Sequence, residues 1–234
     1  MYSPKISKEE INQLPVVSFP GEIVLVDKPE MVAPAIDELR KNLVVGIDTE
    51  TKPSFKSGTS NKVSLLQLSE LERCFLFRLN LIDFPQELQD FLNDENIKKV
   101  GLSLHDDFRL LNKRQNFHPA NFVDIQNIAK SYGIMELSLQ KIYAIIFGKK
   151  ISKSQRLSDW EKPQLTEKQL RYAATDAWAS LQIYLQLMNE PQLTPKQIEK
   201  LVQENTPHKQ PETSENAETT NSDLTPDAHS EKLS

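Results

Sequence analysis

The order of the apolar segments predicts an α/β fold with a mixed sheet. Three observations lead there: five short apolar runs of strand length lie within the first 102 residues, helical periodicity takes over after residue 124, and the two types alternate in between. Residues 22–27 (EIVLVD) read as the first strand. Pro29 opens a helix over 29–41, because proline in a first helical turn loses no hydrogen bond and its φ is already helical. Residues 43–48 (LVVGID) are apolar without alternation, the pattern of a strand covered on both faces. Two more strands, 62–68 (KVSLLQL) and 73–79 (RCFLFRL), are joined by a charged turn. A helix over 85–93, a strand at 99–102 and a helix over 105–114 follow. From there the chain is predicted helical: 124–132, then 138–147 with Ser138 as its N-cap, then a long final helix over 167–188. A hairpin first, strand-helix alternation next and helices last describe a mixed sheet.

The 234 residues, 38% hydrophobic and 26% charged, suffice for one domain with a core and for a tail outside it. Residues 1–20, where INQLPVVSFPG is broken by prolines, read as a partly ordered lead-in, and residues 21–189 hold the domain. Residues 190–234 turn to Glu, Thr, Asn, Ser, Pro and Gln. They are expected to be largely disordered, with a helical turn or two in QIEKLV, since they bury too little apolar surface to offset the entropy of ordering. No run approaches the roughly 18 apolar residues of a membrane span, and the N-terminus lacks a basic-then-apolar leader. A soluble, cytoplasmic protein with no membrane partner is expected. Cys74 stands alone and the four histidines are scattered, which excludes an internal disulfide and zinc-type ligand spacing.

A net charge of −5 argues against a polyanionic partner. The distribution reverses that reading. Residues 190–234 carry nine acidic and four basic side chains, whereas the first 189 carry 24 of each sign. A neutral body whose acids are partly neutralised by metal presents a positive working surface.

Three groups of residues suggest where metal would sit. In VGIDTET, Asp48 and Glu50 are two apart, so a strand places both carboxylates on one face. Asp106 and Asp107 fall in the first turn of the helix after VGLSLH, where the helix dipole favours acids. Tyr172 and Asp176 are four apart and share a helix face beside Leu170, Ala173, Ala177 and Leu181. Strand-end solvation, capping and a structural Tyr-Asp hydrogen bond explain each group singly. Taken together, their order and spacing are much more specific than any one of them.

Asp-x-Glu on a strand, an acid at a strand-to-helix junction about sixty residues on, and Tyr-x-x-x-Asp on the last helix resemble the DEDD exonuclease superfamily. The tyrosine marks its DEDDy branch. The resemblance covers roughly residues 20–188, and RLSDWEKPQLTEKQLRYAATDAWASLQIY looks closest to Werner-type and ribonuclease D-type exonuclease domains. It implies a ribonuclease H-like fold, with a mixed five-stranded sheet flanked by helices. It also implies phosphodiester hydrolysis, which must stabilise charge on pentavalent phosphorus and activate both water and leaving oxygen, a task for two divalent cations about 4 Å apart. Oxygen-only ligands suit Mg²⁺ or Mn²⁺. The implied outcome is 3′-to-5′ release of nucleoside 5′-monophosphates from a nucleic-acid 3′ end, DNA favoured. By that resemblance Asp48 bridges both cations, Glu50 and Asp176 complete the water side, Asp107 supports the leaving-group side and Tyr172 orients the attacking water. The spacing from Val100-Gly101 and to Leu110-Leu111 fits Asp107, with Asp106 as the alternative. Ser103 stands where many relatives carry Asn, and Asp106 where many carry an aromatic.

Substrate contacts are expected from Leu66 and Gln67 in SLLQL, from Ser103, and from Lys150, Lys153 and Arg156 in GKKISKSQR, a basic segment suited to phosphates. A core strand and a solvated loop are the plainer readings of those two segments. Trp160 and Trp178 either stack on bases or pack, and Trp178 suits the core better. The competing functions are a ribonuclease D-like RNA-processing exoribonuclease and a non-catalytic nucleic-acid-binding module on the same fold. A ribonuclease H-type endonuclease fits the fold but not Tyr-x-x-x-Asp. The six glycines form no phosphate-cradling loop, so a stand-alone nuclease domain is expected.

Overall fold

The computed structural model describes residues 1–54 and 61–205. Helix α1 (Lys8–Gln13), started by a capping box between Ser7 and Glu10, leads into the short strand β1 (Val16–Val17). Strand β2 (Glu22–Val26) is followed by a 3₁₀ turn at Pro29–Met31 and by α2 (Val32–Leu39). Next come β3 (Val44–Thr51), β4 (Val63–Ser69) and β5 (Arg73–Phe77), an antiparallel meander. Helices α3 (Leu79–Ile82) and α4 (Gln86–Asn93) precede β6 (Lys98–Gly101), α5 (Leu104–Leu111) and β7 (Phe122–Asp124). The remainder is α6 (Ile125–Ala129), α7 (Leu139–Phe147), β8 (Lys150–Ile151), α8 (Glu167–Met188) and α9 (Pro195–Asn205).

The main sheet runs β2-β5-β4-β3-β6-β7, with β2 parallel to β5, and β3, β6 and β7 parallel to one another. It is mixed and flanked by helices, but it has six strands where five were expected. The sixth, β7, is three residues long and shows no alternation in sequence. Its last residue, Asp124, is also the N-cap of α6, which is why the segment read as the start of a helix. A second, two-stranded sheet pairs β1 with β8 in parallel, Val16 opposite Lys150 and Val17 opposite Ile151. Helix α9 is longer than the one or two turns its composition suggests, and Leu193 and Leu201 near it lie against Gly133. The disorder expected of residues 206–234 falls outside the described residues. Among the described residues no helix is long and apolar enough to cross a membrane.

Two cores sandwich the sheet. On one face Val45, Ile47, Leu66, Leu68, Phe75 and Phe77 pack against α2 and α4 through Ile36, Leu39, Leu88 and Phe91. On the other, Leu65, Cys74 and Leu76 lie under α8, with Ala173, Ala174 and Ile183 above them and Phe19 and Trp160 alongside. Strand alternation therefore turns Gly46, Asp48 and Glu50 toward α8. At Gly46 an added Cβ would stand 2.0 Å from the Ala177 carbonyl oxygen. The bare backbone there lets the helix settle directly on β3. Gly46→Ala should therefore push α8 outward and lower stability by about 2–3 kcal/mol, the cost of overpacking a filled interface. Chemical denaturation checks this, and an unchanged midpoint would mean that the contact does not fix the helix.

Candidate active site

Strand β3 runs past the end of its parallel neighbour, since β6 pairs only with Val44, Val45 and Gly46. Asp48 and Glu50 thus project beyond β6 while remaining paired to Gln67 and Leu65 of β4. The register of β3 and β4 shifts just after Glu50. Helix α8, held close at Gly46, delivers Asp176 to the same point. One carboxylate oxygen from each of Asp48, Glu50 and Asp176 lies within 4.8 Å of the others. A cluster of this kind is compatible with a divalent cation.

Asp107 comes from the first turn of α5, and its Oδ1 accepts a 2.5 Å hydrogen bond from the Thr49 hydroxyl. Its charge acts on both Asp48 and Glu50. The neighbouring Asp106 faces solvent, its side chain 70% exposed and paired with Arg109 at 3.3 Å. Of the two acids left open by the sequence, Asp107 lies outside the group of three converging oxygens but within reach of its charge, and Asp106 is turned to solvent. Tyr172 stands one helical turn before Asp176 on α8, its hydroxyl close enough to act on the Asp176 carboxyl, and its ring lies 6.1 Å, centroid to centroid, from that of the fully buried Trp160. Trp178 packs against Phe19 and Tyr143.

The acids hold their protons tightly. Burial, then the charges of Asp176, Asp107 and Glu50, drive the Asp48 carboxyl well above the usual range. Burial and the same neighbours push Glu50 up to about 9, with the Arg156 charge opposing. Burial raises Asp107 to about 7 against the Thr49 hydrogen bond, and Asp176 to about 7 against the Tyr172 hydrogen bond and the Lys153 charge. Burial and the surrounding carboxylates raise Tyr172 far beyond any working pH, so its hydroxyl stays neutral.

The expected substrate contacts divide into two groups. Ser103, Lys153 and Arg156 line a cleft of about 310 Å³ together with Tyr172 and Asp176. Leu66, Gln67 and Lys150 are not brought to it. Leu66 is fully buried in the core under α2 and α4, and Gln67 is fully buried beside Asp48. Lys150 is drawn away by the pairing of β8 with β1, and its Nζ donates to the Asn12 carbonyl at 2.6 Å.

Sequence reasoning missed Thr49 and Asp124. Thr49 sits between the two acids of Asp-Thr-Glu, so alternation alone turns it toward α5. The signal was present, but its partner lies 58 residues away. Asp124 accepts from the amides of both Leu104 and Gln126 at 2.9 Å, which clamps the start of α5 to that of α6. It steadies the junction where Ser103 takes a left-handed conformation at φ 60°, one that Asn tolerates better than Ser.

A pH dependence follows from the raised carboxyls. A carboxyl whose folded pKa lies above its unfolded value favours the fold while protonated. That contribution is full below about pH 4 and is lost as pH rises through about 7 to 9. The protein in a chelator should therefore melt several degrees lower at pH 9 than at pH 5. Mn²⁺ should restore the loss, so the gap between chelator and Mn²⁺ melting curves widens with pH. A gap independent of pH would dissociate these carboxylates from cation uptake.

Comparison with known proteins agrees with this geometry. Residues 23–192 match the family described as 3′-5′ exonuclease. The bifunctional 3′-5′ exonuclease/ATP-dependent helicase WRN of Mus musculus is 34% identical over 188 residues, which cover 76% of this chain but 13% of that protein. A 3′-5′ exonuclease of Arabidopsis thaliana is 28% identical over 202 residues, 80% of this chain and 70% of the other. Among solved structures, Escherichia coli RNase D superimposes with a TM-score of 0.65 at 25% identity, covering 71% of this chain and 44% of that one. The Aedes aegypti Nibbler EXO domain superimposes with a TM-score of 0.64 at 22% identity, covering 81% and 94%. With a carboxylate cluster at the end of β3 and a family match that spans its whole sheet, the chain belongs to the 3′-5′ exonuclease family.

Proposed function

We propose that this chain hydrolyses nucleic acid from the 3′ end and releases nucleoside 5′-monophosphates, using two Mg²⁺ or Mn²⁺ ions held by Asp48, Glu50, Asp107 and Asp176. The observation that carries the reading is the convergence of three carboxylate oxygens within 4.8 Å, with Tyr172 and Asp176 lining one cleft beside them. The donor set fits the cations: it is all oxygen, it is half-buried at the wall of a cleft, and its mutual repulsion is relieved by positive charge. Bound there, the two ions supply Lewis-acid stabilisation of the phosphate and lower the pKa of water.

The side chains do the positioning. Asp48, at the centre of the cluster, is the acid suited to face both ions. Asp107 is fixed by Thr49 on the side away from α8. Tyr172, one helical turn from Asp176, sets its hydroxyl beside that carboxyl, where its oxygen can accept a hydrogen bond from the attacking water and aim that water's lone pair at phosphorus. It stays protonated and so acts as an orienting group rather than a base. Lys153 and Arg156, in the same cleft, are placed to hold phosphate oxygens. DNA is the favoured polymer. RNA is the alternative, because E. coli RNase D is described as an exoribonuclease involved in structured RNA processing.

Matched 5′-labelled and 3′-labelled DNA and RNA oligonucleotides, incubated with Mn²⁺ or Mg²⁺, test the proposal. The 5′ label should give a descending ladder and the 3′ label an immediate mononucleotide. Asp48→Ala should lose both hydrolysis and the cation-induced rise in melting temperature. Tyr172→Phe should keep that rise while turnover falls about 10²-fold. Folded, Mn²⁺-loaded protein that leaves both polymers intact would reduce the chain to a binding module.

A further inference from the structure

Gln67 stands apart among the buried polar side chains of the described residues. It is fully buried, and neither its amide nitrogen nor its amide oxygen has a hydrogen-bond partner. The other buried groups in that position each leave one atom unpaired, as Arg78 and Trp160 do. A buried amide that forgoes both hydrogen bonds is costly, and an apolar residue of the same size would fill the space without that cost. Packing alone therefore does not account for a glutamine here.

Its place in the sheet suggests what does. Gln67 is the register partner of Asp48 on β3 and of Leu76 on β5. Leu66 and Leu68 belong to the core beneath α2 and α4, and Leu65 to the core beneath α8, so Gln67 shares the α8 face with Asp48. Directly opposed residues on one face of an antiparallel pair have Cβ atoms about 4.5–5.5 Å apart, well within reach of a glutamine amide. Of its two cross-strand partners, Asp48 carries an acceptor and Leu76 does not. The unpaired amide is thus placed beside the carboxylate at the centre of the cluster.

We infer that Gln67 is a positioning residue for Asp48, its amide N–H donating to the Asp48 carboxylate in the cation-loaded protein and fixing that carboxylate's rotation. The inference rests on the reading of the cluster as a cation site. A carboxylate facing two ions must present both oxygens in a defined plane. A donor held rigidly in the sheet beside it sets that plane, as groups behind metal ligands commonly do. A neutral amide suits the task because it adds no further negative charge to the four acids.

The role has a signature that packing does not share, because it moves stability and cation affinity in opposite directions. Gln67→Met, with Gln67→Leu as the second variant, removes the unpaired amide while filling nearly the same volume. Each full-length variant is melted in chelator and titrated with Mn²⁺ by calorimetry, beside wild type and Leu76→Met, a volume-matched change on the same sheet face. The expected result is a chelator melting temperature equal to or a few degrees above wild type, with a Kd for Mn²⁺ raised about 10-fold or more. Leu76→Met should keep the wild-type Kd. A Kd within twofold of wild type in both Gln67 variants would overturn the assignment. So would a large fall of the chelator melting temperature in both, which would mark Gln67 as a packing residue. If wild type itself takes up no Mn²⁺, the reading of the cluster as a cation site fails first, and the Gln67 assignment falls with it.

Discussion

The approach of α8 to β3 governs the site. With only hydrogen on the Gly46 Cα, the Ala177 carbonyl comes to 2.0 Å from where a Cβ would stand. Asp176 precedes Ala177 by one residue, and Asp48 follows Gly46 by two on the same face. The glycine-alanine contact thus sets the separation of the acids. Ala173 and Ala174, both fully buried, continue the thin side of the helix, while Ile183 and Leu187 anchor its far end in the same core. Apolar burial along α8 stabilises an arrangement that the carboxylates alone would resist.

The remaining parts are held from outside that contact. On the other side of β3, Thr49 fixes Asp107, and Asp124 clamps the start of the helix that carries it. The cleft wall bearing Lys153 and Arg156 hangs from β8, which is tied to the N-terminal segment by pairing with β1 and by Lys150 to the Asn12 carbonyl, and to α7 by the Gln140 amide donating to the Ile151 carbonyl. The segment is tied to α8 in turn, since the Phe19 amide donates to the Thr175 hydroxyl at 2.9 Å. The first twenty residues therefore brace one wall of the site from behind.

Much of this was legible because local pattern and tertiary role coincide. The bounds 167–188 of the last helix follow from a long period and a capping box between Thr166 and Gln169. A period of two placed Asp48 beside Glu50, and a spacing of four placed Tyr172 beside Asp176. What escaped lacks a local signature. Strands β1 and β8 have two residues each and exist through pairing across more than 130 residues, so no window of sequence contains them. That pairing is what turned Lys150 away from the cleft. The setting of Leu66 and Gln67 was hidden for a different reason: every residue of β4 is buried, which hides the alternation that tells one face from the other.

The charge balance gives the fold its last constraint. The first 189 residues are formally neutral, with 24 basic and 24 acidic side chains. On the proposed reading two divalent ions add four positive charges to that body, all at the mouth of one cleft. Without them Lys153 and Arg156 spend their charge on Asp176 and Glu50, lowering the pKa values that burial raises. With the ions in place, those two side chains are released toward the substrate. Cation loading and polyanion binding are then coupled through the same few residues. On that reading a chain with a net charge of −5 needs no broad basic face to act on nucleic acid, because the attraction would be confined to the cleft that holds the ions.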